Sequence, residues 1–209
     1  MSERASSWKK TGAWAGTAVP GRFGAADREP GVVIIPRHDL SLAFVIGHHD
    51  DGAALDRVFS ARYGIEPPHA PRAVCGASFD LVWSGPSQWL AVSLRPGMPA
   101  ELAAELDGVA AVTDQSDARA VLRLIGPNVR DALAKGCPVD VHPAAFRRGD
   151  TIVTTIGGIG VQLWWADVDD GLHLAVPRSM AGSFWSWLLP SAQEFGVEIG
   201  AAKAAVRSG

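Results

Sequence analysis

Short runs of β-branched and aromatic residues recur along the chain from residue 32 onward. The first two are VVIIP at 32–36 and LAFVI at 42–46, and the polar residues between them predict a connection between two strands. Later runs of the same kind predict seven further strands, at 79–83, 87–94, 109–114, 118–125, 151–156, 161–168 and 172–177. Asp169-Asp170-Gly171 is typical of a hairpin turn, so the last two strands should be joined by a hairpin.

Apolar residues at a period of about 3.6 predict helices between these strands. The first apolar stripe consists of Leu55, Val58, Phe59 and Tyr63. Gly64 is well placed to end that helix, because glycine readily adopts the left-handed conformation found at helix C-termini. Three more helices are predicted at 99–108, 127–136 and 180–196, and Pro190 should end or kink the last of them.

Two strand-and-helix units have a similar build. VWSGPSQWL and RLIGPNVRDAL each carry a strand into Gly-Pro and then into an amphipathic segment. Such units favour an α+β fold in which helices pack on antiparallel sheets. Residues 1–30 are rich in Ser, Gly, Ala and charged residues without periodicity, which predicts an N-terminal arm, and residues 31–209 are then the α+β domain.

Composition and charge narrow the classes of function. The 209 residues are 47% hydrophobic and 20% charged, which suits a globular domain. With a formal net charge of −3, neither nucleic acid nor membrane is expected as a partner, and the pairs Lys9-Lys10 and Arg147-Arg148 are interpreted as solvated. Two cysteines, no secretory leader and no apolar span of about 20 residues predict a cytoplasmic protein.

LRLIGPNVRDALAKGCPVDVHP, at 122–143, raises the question of a binding or catalytic loop. A phosphate cradle needs several glycines and usually a Lys, Ser or Thr at the helix start, whereas this helix starts with Pro127-Asn128-Val129. The glycines of TIGGIG at 155–160 fail the spacing of a dinucleotide-binding loop and lead into a strand rather than a helix. Both stretches are therefore interpreted as structural turns.

Cys137 and His142 are a possible nucleophile and base. Cys137 follows a helix C-terminus, however, and the negative end of the helix dipole disfavours a thiolate, so packing is the preferred interpretation. His48-His49-Asp50-Asp51 contains metal-binding side chains, but neighbours on a strand point to opposite faces, which favours a polar turn with a helix cap. No residue is assigned to catalysis, to a metal or to a cofactor.

Tryptophan is unusually frequent, with eight residues beside a single tyrosine. Trp164 and Trp165 are neighbours on a predicted strand, so one ring should face the core and the other outward. Trp185 and Trp187 are about 200° apart on a predicted helix, so one of them should also be buried. Two more rings lie on the predicted arm and should dock on the parent domain or on a partner. Since tryptophan is common in interfaces, the candidate interface residues are Trp8, Trp14, Trp165 and Trp185.

The stretches FDLVWSGPSQWLAV, GCPVDVHP and LAVPRS, together with the Trp-rich final helix, resemble the gamma subunit family of bacterial heterotetrameric sarcosine oxidase. The resemblance covers most of the chain from about residue 32 onward and includes RVFSARYGIEPP. It implies the α+β fold of the folate-binding aminomethyltransferase (glycine-cleavage T-protein) domain. It also implies assembly with alpha, beta and delta subunits into a complex that oxidatively demethylates sarcosine to glycine and transfers the one-carbon unit to tetrahydrofolate.

In that family FAD, covalently held FMN, NAD, tetrahydrofolate and zinc are carried by other subunits, so the resemblance implies a non-catalytic role for this chain. T-protein-like enzymes carry a catalytic acid shortly after a Gly-Gly, whereas here Gly157-Gly158 is followed by Ile159-Gly160-Val161. This departure counts against an independent aminomethyltransferase activity. Two alternatives stay open, namely a subunit of a related N-methyl amino acid dehydrogenase, such as the N-methylglutamate enzyme, and a stand-alone folate-binding aminomethyltransferase-like protein.

Overall fold

The computed structural model describes residues 12–25, 29–48, 52–165 and 171–201. Within these ranges the chain forms twelve strands. They are β1 (Gly21–Phe23), β2 (Val32–Arg37), β3 (Ser41–Gly47), β4 (Ala73–Val74), β5 (Asp80–Gly85), β6 (Gln88–Ser93), β7 (Ala110–Asp114), β8 (Arg119–Ile125), β9 (Thr151–Ile156), β10 (Ile159–Trp165), β11 (Leu172–Pro177) and β12 (Val197–Ile199). The nine strands predicted from the sequence correspond to β2, β3 and β5 to β11.

The helices of the same ranges are α1 (Gly52–Tyr63), α2 (Met98–Glu105), α3 (Val129–Ala134) and α4 (Ala181–Gln193), with a single 3₁₀ turn at Arg178–Met180. All four α-helices were predicted from apolar periodicity. In the described part of the chain, no helix combines the length and apolar character needed to cross a bilayer.

The strands are arranged in two sheets. The larger has seven strands in the order β1-β12-β2-β8-β11-β10-β9, and the smaller has five in the order β4-β5-β6-β3-β7. Neighbouring strands are antiparallel, except for β12 and β2, which are parallel. The predicted α+β class with antiparallel sheets and packed helices is therefore confirmed.

Strands that are consecutive in the sequence do not always pair. β2 and β3 lie in different sheets, and so do β7 and β8, so the chain crosses twice between the sheets. The two sheets face each other across an apolar layer, as is typical of aligned sheet packing. The layer includes Leu42, Val82, Leu90, Val121, Trp164 and Ala175.

Two further apolar clusters lie on the outer faces of the sheets. α1 and α2 cover the five-stranded sheet, where Leu55 and Phe59 of the predicted stripe are fully buried. α3 and α4 cover the seven-stranded sheet and bury Leu133, Phe184 and Leu188 in a larger cluster. The molecule consequently has four layers, with helices outside and the two sheets between them.

The predicted turn residues adopt the expected backbone conformations. Gly64 has φ of +63°, and its N–H donates to the carbonyl of Ser60 at 3.0 Å, which ends α1. Gly157 and Gly158 have φ of +57° and +79° and form the two-residue turn between β9 and β10. The TIGGIG stretch is thus a hairpin turn. The turn predicted at Asp169-Asp170-Gly171 lies largely outside the described residues.

Pro190 does not end α4, which continues to Gln193. The missing N–H of a proline leaves the carbonyl four residues earlier without its helical partner. That carbonyl belongs to Ser186, and because both Ser186 and Pro190 are exposed, water can satisfy it. Of the two predicted effects of Pro190, the helix end is wrong, and the kink stays a prediction.

Part of the predicted N-terminal arm belongs to the packed fold. Trp14 is 1% exposed, and its indole N–H donates to the carbonyl of Val121 at 2.9 Å. β1, which follows it, pairs with β12 at the edge of the seven-stranded sheet. Residues 12–25 therefore pack against the domain, while residues 1–11 lie outside the described ranges.

Candidate partner-docking surface

β10 directs its two adjacent tryptophans to opposite sides of the seven-stranded sheet. Trp164 is 2% exposed, lies in the layer between the sheets and stacks on His173 with ring centroids 5.3 Å apart. Trp165 is half-buried at the border of the core beneath α3 and α4. The period-2 geometry of a strand fixes this division, so Trp165 keeps part of its ring at the surface.

Two arginines flank Trp165. The guanidinium carbon of Arg130, on α3, lies 4.5 Å from the ring centroid, and that of Arg148 lies 5.7 Å away. These distances are typical of cation–π contacts. Arg147 and Arg148, interpreted from the sequence as solvated, are both exposed, and the Arg148 guanidinium also lies over the Trp165 ring.

Arg130 is fixed by the loop that follows α3. Its Nη1 donates to the carbonyls of Val141 and Phe146, the latter at 3.0 Å. Its Nη2 is buried and has no hydrogen-bond acceptor among the described residues. Burial lowers the pKa of Arg130, but an arginine remains charged at physiological pH. A fixed cation is therefore held against the tryptophan ring.

A cavity of about 220 Å³ lies between Trp165 and the start of α3. Its lining includes Gly126, Pro127 and Arg130, together with Pro143 from the exposed loop that follows α3. We define the Trp165 surface as Trp165, Arg130, Arg148 and Pro143. An aromatic ring between two arginines beside an apolar hollow is suited to protein recognition, because tryptophan and arginine are enriched at interface centres.

The other candidate interface tryptophans lie elsewhere. Trp14 and Trp185 are 1% and 7% exposed, and their rings contact each other inside the larger cluster at 6.0 Å between centroids. Trp14 thus docks on the parent domain rather than on a partner, the other possibility considered for it. In this conformation, almost no surface of the Trp14 or Trp185 ring is accessible to a partner. Trp8 lies outside the described residues. The expectation that one ring of each adjacent pair is buried is confirmed by Trp164 and Trp185.

Cys137 and His142, the pair considered for catalysis, each contact their own local structure. Cys137 is half-buried against the larger cluster, and its backbone N–H donates to the carbonyl of Leu133 at 2.9 Å. The Nδ1 of His142 accepts the N–H of Ala144 at 3.2 Å, within its own loop. Among the described residues, no hydrogen bond joins Cys137 to His142, and the packing interpretation of Cys137 stays a prediction. The metal hypothesis at His48-His49-Asp50-Asp51 lies mostly outside those residues.

The fold places the chain in a known class. Aminomethyltransferase T of the glycine cleavage system from Bartonella henselae has a similar structure, with a TM-score of 0.63 and 15% identity, covering 82% of this chain and 48% of that chain. The fold is therefore aminomethyltransferase-like.

The sequence narrows this class to one family. The model of the "Sarcosine oxidase, gamma subunit family" matches residues 47–194, and the chain belongs to that family. Sarcosine oxidase subunit gamma from Arthrobacter sp is 38% identical over 117 residues, which are 54% of this chain and 58% of the relative. The subunit from Corynebacterium sp. (strain P-1) is 36% identical over 56% of this chain and 59% of its own length. The matched part is thus less than two thirds of these relatives.

A solved structure matches over a longer range. A chain of the heterotetrameric sarcosine oxidase from Corynebacterium sp. U-96, solved in complex with pyrrole 2-carboxylate, has a TM-score of 0.76 and 25% identity to this chain. The match covers 94% of this chain and 98% of that chain. The resemblance stated from the sequence motifs is confirmed at the level of the family and of the fold.

Proposed function

We propose that this chain is the non-catalytic gamma subunit of a cytoplasmic, heterotetrameric sarcosine oxidase that also contains alpha, beta and delta subunits. The complex oxidatively demethylates sarcosine to glycine and passes the one-carbon unit to tetrahydrofolate, with FAD, FMN, NAD, tetrahydrofolate and zinc bound by the other subunits. The observation that carries this proposal is the match over 94% and 98% of the two chains to a member of a heterotetrameric sarcosine oxidase.

The Trp165 surface supports a role in assembly. The Trp165 ring is half-buried, so its side chain is already partly immobilised before a partner binds. The Arg130 guanidinium is likewise held in place, because it donates to two backbone carbonyls. A rigid aromatic and arginine cluster loses little conformational entropy when a partner covers it. We therefore assign the Trp165 surface to the contact with another subunit of the complex.

The proposal is tested by expressing the chain alone and together with the subunits encoded beside it. We expect the co-expressed subunits to elute as one species that shows flavin absorbance and oxidises sarcosine. The chain alone should be colourless and inactive, because the cofactors belong to its partners. The measurements are size-exclusion chromatography with light scattering, visible absorbance and oxygen uptake with sarcosine.

Three results would count against this function. Flavin binding or sarcosine oxidation by the isolated chain would show that it is catalytic. Tight tetrahydrofolate binding by the isolated chain in calorimetry would favour the stand-alone aminomethyltransferase-like alternative. Turnover of N-methylglutamate but not sarcosine by the complex would assign it to the related dehydrogenases.

A further inference from the structure

A cleft of about 440 Å³ lies between the two sheets, at the border of the apolar layer that joins them. Its volume is in the range of small-molecule sites, which are mostly apolar with a few polar groups. The apolar part of its lining is Phe44, Val153, Val161 and Pro177. The polar part is Ser84, Gln88, Gln115, Arg119 and Gln162.

Arg119 is the charged residue of this cleft. It lies on β8 two positions before Val121, so both side chains are on the face of the seven-stranded sheet that turns toward the other sheet. Arg119 is half-buried, and its guanidinium makes no hydrogen bond or ion pair with the residues that the structure describes. Burial lowers the pKa of Arg119, and no carboxylate opposes that effect.

Several other arginines of the chain form an ion pair with a carboxylate, whereas Arg119 does not. Each of five is paired with a carboxylate, although most of them are more exposed to water, where an ion pair contributes little. These five are Arg22, Arg37, Arg62, Arg72 and Arg95. Arg119 has no carboxylate partner among the described residues and lines a cleft, so its guanidinium is suited to bind an anion there.

Two amide side chains add to this indication. Gln162 is 2% exposed and donates to the Trp83 carbonyl at 3.3 Å and to the Ser84 hydroxyl at 2.8 Å, so it forms a fixed wall of the cleft. Gln88 and Gln115 are half-buried in the same lining, and their side-chain amides make no hydrogen bond to other described residues. These amides line the cleft and are only half-buried, so they are available to a bound molecule.

The charged residues on the other side of Arg119 balance one another. Arg119 separates the cleft from a smaller cavity of about 180 Å³, whose lining contains Arg37, His38 and Arg178. Asp117 also borders that cavity, and Arg37 is paired with Asp39 at 2.8 Å. Burial lowers the pKa of His38, so Arg37 and Arg178 are balanced by Asp39 and Asp117 and leave no surplus carboxylate to neutralise Arg119.

We propose that the cleft between the sheets binds a small carboxylic acid with an apolar body, whose carboxylate pairs with Arg119. The planar guanidinium donates two parallel hydrogen bonds to a carboxylate. The apolar body contacts Phe44 and Val153, and the amides of Gln88 and Gln115 bind polar substituents. This function is separate from the assembly role of the Trp165 surface.

The test uses benzoate as the probe and neutral, nearly isosteric benzamide as its matched control. We expect the full-length chain to bind benzoate in calorimetry at least tenfold more tightly than benzamide, because only benzoate pairs with the cation. Arg119→Gln should weaken benzoate binding at least tenfold and leave benzamide binding unchanged. Arg95→Gln, at a solvent-exposed ion pair away from the cleft, should change neither affinity.

Several outcomes would overturn the proposal. The proposal is wrong if benzoate does not bind at millimolar concentration. It is also wrong if benzoate and benzamide bind with equal affinity, or if Arg119→Gln leaves the benzoate affinity unchanged. If Arg119→Gln does not fold, Arg119→Lys decides the matter, since it keeps the charge but loses the bidentate geometry and should bind benzoate with reduced affinity. Nitrogen-15 NMR of the Arg119 Nε–H should shift on addition of benzoate, and no shift there would also contradict the site.

Discussion

Trp187 is a half-buried ring whose neighbours are two glycines. A Cβ atom added to Gly136 would lie 2.5 Å from its Cζ2, and one added to Gly157 would lie 2.7 Å from its Cγ. The N–H of Gly157 donates to the carbonyl of Gly136 at 3.1 Å, so the end of α3 and the β9–β10 turn meet under the ring. Trp187 therefore holds three elements together, and its partial exposure has a structural reason.

Gly157→Ala should destabilise the chain more than Gly158→Ala. Both residues have positive φ, which costs an alanine about 1–2 kcal/mol, but Gly158 has open space around its Cα whereas Gly157 lies against Trp187. Overpacking at Gly157 should add roughly 1–3 kcal/mol to the loss in free energy of unfolding. Denaturant unfolding of the two variants measures the difference.

The double variant with Trp187→Ala is the control for that comparison. Removing the ring opens the space above Gly157, so the extra cost of Gly157→Ala should disappear in this background. Equal costs for the two alanine variants in the presence of Trp187 would show that the ring is free to move aside.

At the scale of elements, the hydrophobic pattern predicted much of the fold. The strands β2, β3 and β5 to β11 and all four helices were expected, because each depends on local periodicity. β1, β4 and β12 were missed, since strands of two or three residues carry too little pattern. The division into two sheets was also missed, because the choice of partner for β3 depends on contacts distant in the sequence.

The Trp165 surface could also be predicted only in part, because some of its contacts are distant in the sequence. Trp165 was a candidate because alternation along one strand predicts an outward ring, which is a local argument. Arg130 and Arg148 come from α3 and from a loop, and only the tertiary fold brings them to the ring. The burial of Trp14 and Trp185 was not predicted for a related reason, because their rings contact each other across elements far apart in the sequence.

Trp165→Ala should weaken assembly of the complex while changing the isolated subunit little. Truncating a tryptophan at an interface centre typically costs 2 kcal/mol or more, which is about thirty-fold in affinity. The Kd for the remaining subunits and the Tm of the isolated chain are the two measurements. Trp187→Ala is the matched control, and it should lower the Tm first. Normal assembly of Trp165→Ala would remove the Trp165 surface from the interface.

At the scale of the molecule, the two sheets share one apolar layer. Leu90 of β6 is fully buried in it, opposite residues of the seven-stranded sheet such as Val121 and Ala175. The five-stranded sheet is formed by the consecutive strands β3 to β7, and this segment is inserted between β2 and β8 of the seven-stranded sheet, so both of its ends are tied to that sheet. The described part of the chain is therefore built as one cooperative unit with three apolar clusters.

Leu90→Ala should consequently destabilise both sheets together. A buried leucine replaced by alanine costs about 2–5 kcal/mol. In guanidinium, far-ultraviolet circular dichroism and tryptophan fluorescence should each give a single transition, and both midpoints should fall by the same amount. Two separated transitions, of which only one moves, would show that the sheets unfold independently.

β9 is the last strand of the seven-stranded sheet and pairs with β10. Within the described residues its other edge is bonded at its start, where the Thr151 N–H donates to the Pro71 carbonyl at 3.2 Å, and the rest of that edge is open. Val153 on this strand is 53% exposed. An open edge with an apolar side chain is a template for pairing with another chain, and so a risk for aggregation. If the chain assembles as proposed, copies synthesised in excess of their partners would keep this edge open, and balanced synthesis of the subunits would limit their aggregation.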